Sequence, residues 1–380
     1  MNIKNEDTKK AINFYFFMLI AYFFDNIILI SLIWVTLHKF NSTLILGGIM
    51  SIAGIIPFVL SKTLKVKSTL KNLAIIKGLS YFVLIMLLFT QINLIVTFFY
   101  LGIIFGIGNY FNLSTFQIKN VQLIESRVLS SNIAARCFQG SMQIGTFLGV
   151  ALGAYLLNIL EFEKYLIYTS VMIICYSIAL YLSYKNDILQ VETNKKIEKE
   201  KIVRKFLDMK YIFLMASFGL LGAHISSFNI VAPVIFQKIH NWNSIQFGII
   251  DALAGFGAFI AIFVPKKYSQ LIIYVSILLI SSDIVFGVEK IYYLVAISTG
   301  LIGFSIGYIS IFLREKISKI SIETNSTDEV SNTSSFIYNI FYGISPLLVS
   351  TIIDQNILLA KYILGVIAIF LLVNLFKVRK

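Results

Sequence analysis

The sequence predicts an all-α polytopic membrane protein with twelve transmembrane helices in two six-helix halves. Three observations carry that expectation. Hydrophobic residues make up 58% of the chain and charged residues only 13%, with a mean hydropathy of +0.84; soluble domains carry about 25% charged residues. Twelve apolar stretches are long enough to cross a hydrocarbon core, which needs about 20 residues of helix: 11–37, 43–61, 72–91, 93–117, 130–159, 163–184, 210–237, 244–264, 269–287, 291–313, 328–353 and 357–376. A shift of 200 residues lays the second half on the first, placing Lys119, Ser131, Asn132 and Leu148 over Lys319, Ser331, Asn332 and Leu348, and Thr146 over Pro346. The expected organisation is an N-terminal half at 1–184, a cytoplasmic linker at 185–209 and a C-terminal half at 210–380. Short connections leave no room for a soluble catalytic domain.

The net charge of +13 reports topology rather than a nucleic-acid partner. With residue 1 taken as cytoplasmic, 25 of the 32 Lys and Arg fall on inner segments and five on outer loops (Lys39, Lys164, Lys238, Lys290 and Lys361), while Lys77 and Arg136 lie within helices. That bias places both termini in the cytoplasm of a bacterial plasma membrane, with lipid as the surrounding partner. The first apolar run is too long for a cleaved leader and is expected to be retained. Cys137 and Cys175 lie in apolar helices without metal-ligand spacing, so both read as buried packing residues.

Helix 1 carries Asp25 and Asn26 near mid-membrane. A carboxylate there costs on the order of 3 kcal/mol or more and faces either a structural partner or a water-filled path. The loop after helix 2, KTLKVKSTLK, is basic, as a solvated inner loop would be. Helix 4 ends in a polar run in which Asn109 and Asn112 share a face. Helix 5 aligns Arg136, Gln139 and Gln143 on one stripe; Arg136 and Gln139 fall near the cytoplasmic end, where Arg136 either snorkels to the interface or borders the substrate path. Gly145, Gly149 and Gly153 recur every four residues and allow close helix contact.

The segment before helix 7 mixes eight basic with five acidic residues and reads as the linker. Helix 7 holds His224 and Asn229, and His224 follows Asp25 by 199 residues, so the two are expected to face each other as pseudo-symmetric partners. Helix 8 repeats helix 2 through Gly248 and Gly255 and adds Asp251 in its outer third. Asp283 in helix 9 is expected to be solvated near the outer surface. Helix 11 carries Ser345 and Pro346 as the repeat counterpart of the glycine face of helix 5.

No enzyme constellation is visible. The three histidines form no HExxH, and GxSxG and phosphate-binding-loop motifs are absent, so neither catalysis nor a cofactor is expected.

The polar end of helix 4, the loop with Glu125, the Ser130-Ser131-Asn132 start of helix 5 and its spaced glycines resemble the drug-efflux (macrolide-type) branch of the major facilitator superfamily. That family's helix 5 has a G-P-x-x-G-G signature. The matching positions here are Gly145, Thr146, Phe147, Leu148, Gly149 and Val150, and the repeat copy, starting at Ser345, keeps the proline as Pro346. The loop between helices 2 and 3 lacks the family's Asp, and helix 4 lacks its Arg. The resemblance implies the major facilitator fold and proton-antiport export of a small amphipathic or antibiotic-like molecule by alternating access, usually as a monomer. On that reading Asp25 and His224 couple protons, and Asn26, Asn109, Asn112, Gln143 and Asn229 line the substrate cavity. Gly145, Gly149, Gly153, Gly248, Gly255, Ser345 and Pro346 form the moving helix interfaces. A nutrient importer on the same fold and a non-transporting immunity or sensor protein are the alternatives.

Overall fold

In a computed structural model, described for residues 5–63, 69–90, 93–185, 209–265, 270–323 and 327–379, the chain folds into helices, with no strand among the described residues. These are α1 (Asn5–Phe40), α2 (Thr43–Thr63), α3 (Leu70–Phe89), α4 (Leu94–Glu125), α5 (Ser131–Ile159), α6 (Phe162–Tyr184), α7 (Met209–Val234), α8 (Ser244–Ile260), α9 (Ile272–Val288), α10 (Tyr292–Glu323), α11 (Thr327–Gln355) and α12 (Ala360–Arg379). Among the described residues ten helices are long and apolar enough to cross a membrane, and shorter apolar helices cover Thr43–Ile56 and Ile272–Val288. The expected linker lies outside the described residues except at its ends, as does the middle of the basic loop after α2.

Local chemistry accounts for many of the helix ends. Ser130 caps α5 by accepting from the Ile133 N–H, and Asn243 and Gln246 form a reciprocal capping box on α8. Left-handed residues stop the preceding elements: Asn41 (φ 48°), Arg127 (φ 59°) and Asn241 (φ 57°). Asn tolerates that conformation through its short polar side chain. After Arg127, the Val128 N–H reaches back to the Leu123 carbonyl and closes the elbow between α4 and α5. Two helices outrun their apolar stretches. α4 continues to Glu125 and α10 to Glu323 because polar side chains on their inner turns are buried against neighbours. Tyr15 of α1, for example, donates to Asn120 of α4 at 2.7 Å.

Packing repeats between the halves of the chain. α1 packs on α5, α2 on α4, and α3 on α6 and α4; likewise α7 packs on α11, α8 on α10, and α9 on α12 and α10. The most extensive contacts between the sets are α2 with α11 and α5 with α8, and these too exchange under the repeat. The bundle therefore has an internal two-fold relation. We call the end bearing Arg127 and Val264 inner and the end bearing Asn41 and Asn241 outer.

In lipid, apolar burial alone does not drive helices together, so close contact must. Gly54 of α2 meets Gly343 of α11 backbone to backbone, and a Cβ on Gly343 would fall 2.7 Å from the Gly54 carbonyl carbon. Large apolar side chains face outward on the peripheral helices, among them Phe82, Phe89, Met172, Leu182, Tyr274 and Phe370. So much exposed apolar surface marks a lipid-facing wall. Cys175 belongs to that wall, against the expectation of burial, and Cys137 is half-buried.

Candidate functional site

Between the two sets of helices lies a cavity of about 200 Å³, lined from α1, α4, α5, α7, α8, α10 and α11. Its walls include Asp25, Asn26, Asn109, Gln139, Gln143, His224, Asn229, Asp251 and Arg314. Aromatic and aliphatic side chains, among them Tyr22, Phe105, Phe228 and Tyr338, supply the rest.

Asp25 and His224 both line this cavity, but they do not pair with each other. Asp25 accepts from Lys77 of α3 at 2.7 Å and, through its other carboxylate oxygen, from the Asn112 amide of α4. Lys77 is 2% exposed and Asp25 7%. The lysine stem passes beside Gly108 of α4, where a Cβ would sit in ordinary contact 3.6 Å from the Lys77 Cε. Asn112 is therefore a partner of the acid rather than a cavity wall. On the other side, His224 of α7 bonds through Nε2 to Asp283 of α9 at 2.9 Å, and both residues are 1% exposed. Asp283 is thus buried in an ion-pair position, not solvated.

The two pairs occupy corresponding helices with their polarity exchanged. In the first set the acid is on the first helix (Asp25, α1) and the base on the third (Lys77, α3). In the second set the base is on the first helix (His224, α7) and the acid on the third (Asp283, α9). A buried ion pair is weak evidence for stability, because desolvation offsets much of the Coulomb gain. Two such pairs flanking one cavity are a functional signal by the cost of placing charge in a membrane.

The remaining polar residues divide between wall and scaffold. Asn26 donates to the Tyr22 carbonyl (2.8 Å) and to Thr146 Oγ1 of α5 (3.1 Å), fixing α1 on α5. Thr146 stands where the resembled signature has proline, and its hydroxyl serves this link. Asn229 donates weakly to the Tyr342 hydroxyl at 3.4 Å. Gln139 is fully buried and accepts from Ser310 of α10 at 3.2 Å, joining the two sets at the cavity. Gln143 and Asn109 remain wall residues. Asp251 lines the outer part of the cavity and has no hydrogen-bond or ion-pair partner among the described residues.

Arg136 is half-buried near the inner end and lies outside the cavity wall. Its guanidinium donates to the carbonyls of Ile262 and Val264 at the inner end of α8, while Nε donates to Asn132 at 3.1 Å. A cation on the last carbonyls of a helix satisfies orphan acceptors and the helix dipole together. Arg136 thereby clamps α5 to α8 across the two sets.

The helix-5 glycines also face differently from the expectation. Gly145, Gly149 and Gly153 abut Leu19, Phe23, Ile27 and Ile30 of α1, inside one set of helices. The face of α5 that meets α8 is formed by Phe147 against Gly255 and Ala154 against Gly248. Ser345 is half-buried, and the Pro346 carbonyl lies beside Gly47 at the α2–α11 contact. Comparison of the chain with models of known protein families and with curated protein sequences finds no match.

Proposed function

We propose that this chain is a secondary active transporter that exports a small amphipathic molecule in exchange for protons. On this reading it spans a bacterial plasma membrane twelve times in the major facilitator arrangement, with both termini cytoplasmic, and acts as a monomer. One observation carries the proposal: a central cavity between two-fold-related helix sets, flanked by buried acid–base pairs of opposite polarity. The resemblance of the α4–α5 elbow to drug-efflux facilitators supports the direction of transport.

The exchanged polarity offers a way for protons to drive rocking. A proton arriving on Asp25 cancels the attraction holding α3 to α1 through Lys77. A proton arriving on His224 strengthens the attraction of Asp283 and draws α9 toward α7. Protonation at the cavity thus loosens one set and tightens the other. The crossing contacts α2–α11 and α5–α8 are the surfaces across which the sets would move, with Arg136 as a clamp on the inner side.

Accumulation of a panel of fluorescent dyes and antibiotics in cells expressing the chain tests this reading. Lowered accumulation that an uncoupler abolishes, and that Asp25→Asn removes, is the expected result. Unchanged accumulation across the panel, or export that persists at full rate in Asp25→Asn, would overturn it.

A further inference from the structure

The charges of the cavity bear on the chemistry of its solute, an argument that rests on the transport reading above. We infer that the inner part of the cavity binds an amphipathic organic anion, with the carboxylate or sulfonate held by Arg314 and the apolar body against the surrounding aromatic rings. The other acids at the centre are already engaged: Asp25 is matched by Lys77, and Asp283 is bonded to His224, 1% exposed and outside the cavity wall. No open carboxylate is left there to attract a cation.

Arg314 is different. It is 8% exposed, lines the cavity and has no carboxylate partner among the described residues. Among the described residues only its Nε is engaged, donating to Ser310 Oγ at 3.3 Å. The flat guanidinium lies over the rings of Phe138 (4.8 Å) and Phe218 (5.5 Å). Those ring contacts use none of its N–H donors, and the terminal nitrogens are what the two oxygens of an acid group meet bidentately.

A second donor waits beside it. Ser310 passes its own hydroxyl to Gln139 Oε1, and Gln139 Nε2 is buried with no acceptor. Buried donors without partners are rare enough to ask for an explanation, and an acid group at Arg314 would supply one.

Asp251 does not neutralise Arg314. Ala254 and Ala258 of α8 abut Gly303 and Gly307 of α10. That register puts Asp251 level with Gly300, fourteen residues or about 21 Å along the helix from Arg314. The two lone charges stand at opposite ends of the cavity, so an anion arriving from the inner side meets the cation first. Tyr22 and Tyr338 complete an aromatic wall there, suited to an aromatic or otherwise flat apolar body.

Equilibrium dialysis of the purified full-length chain against three matched probes tests the assignment: radiolabelled 1-naphthaleneacetate, its neutral amide and 1-naphthylmethylamine. The acid is expected to bind at least about tenfold more tightly than the amine, the least that one charge-assisted contact contributes. Arg314→Gln should remove that preference while leaving binding of the amide within about twofold, and Gln139→Leu should weaken the acid alone. The acid–amine comparison on the unaltered chain needs no variant to fold. Equal binding of acid and amine, no binding of the acid, or acid binding unchanged in Arg314→Gln would overturn the inference. Flux of the same acid into proteoliposomes separates the two readings. Arg314-dependent binding without flux removes transport and leaves the site. Flux indifferent to Arg314 removes the site and leaves transport.

Discussion

Replacing Lys77 by Met tests the buried pair at the centre of the first helix set. The perturbation deletes an ammonium bonded to Asp25 at 2.7 Å and leaves a methionine stem to fill the space beside Gly108. Asp25 would keep the Asn112 amide but lose its counter-charge in surroundings that leave the side chain 10% exposed. Removing one partner of a buried pair costs about 3–5 kcal/mol, much of it the penalty of the stranded charge. The retained Asn112 contact, a charge-assisted hydrogen bond of about 1.5–3 kcal/mol, is common to both states and does not reduce that figure. The double variant Asp25→Asn/Lys77→Met strands no charge and should lie within about 1 kcal/mol of the unaltered chain, since neutral replacement of a buried pair is often tolerated. Asp25→Asn alone strands the buried ammonium of Lys77 and should cost a similar amount, so the two single losses together should exceed the loss in the double variant by about 5 kcal/mol or more. Reversible unfolding in mixed micelles, followed by circular dichroism, reads all four corners of the cycle. A Lys77→Met variant within about 0.5 kcal/mol of the unaltered chain, the range of a neutral surface change, would refute the pairing.

Three further outcomes follow from particular contacts. Gly343→Val places a branched side chain where α11 touches the α2 backbone at Gly54; transport should fall at least about tenfold, and thermal denaturation should show a loss of about 1–3 kcal/mol from overpacking, whereas an unchanged melting temperature would deny the contact. Arg136→Ala frees the Ile262 and Val264 carbonyls, so hydrogen exchange at the inner end of α8 should quicken relative to its outer end; equal protection in both forms would argue against the clamp. At the outer end His240 stacks on Trp242 at 4.7 Å, and burial, then Lys290 and Lys361, hold its imidazole below the ordinary histidine range. Its folded-state affinity for protons is thus lowered, the ring stays neutral as pH falls through about 6.5, and it charges only below that. In a Trp34→Phe background the Trp242 emission should change with a midpoint under that value, and His240→Gln should abolish the transition; a midpoint above it would reverse the sign.

Much of the architecture can be read from the sequence because a membrane demands long apolar helices and the 200-residue repeat is visible without any alignment. The ends of α4 and α10 could not be read from hydropathy, since their last turns are polar and are held by tertiary contacts such as Tyr15 to Asn120. Within the site, Asp25 and His224 stand out as ionisable groups in apolar helices. Lys77 carried the same signal: a lysine inside a 20-residue apolar helix needs a counter-charge, and Asp25 lies in the same half of the chain. Asp283 was obscured by its nearness to a helix end, where position suggests solvent; only the packing of α9 on α10 and α12 shows that side of the helix to be covered. The glycines of α5 reveal a close approach but not to which helix, because a four-residue spacing marks a face without naming its neighbour. Arg314 sits in a segment with Lys316 and Lys319 and reads as part of an inner basic cluster until the helix is seen to continue to Glu323.

Proton movement in proteoliposomes tests the central claim most directly. Vesicles holding the purified chain and an internal pH-sensitive dye would be given an outward solute gradient, and the internal pH followed as the solute leaves. The account predicts solute-dependent proton uptake that vanishes in Asp25→Asn and His224→Ala and persists in a lipid-facing control such as Phe370→Leu. Solute efflux with no change in internal pH, or proton uptake indifferent to both substitutions, would contradict it.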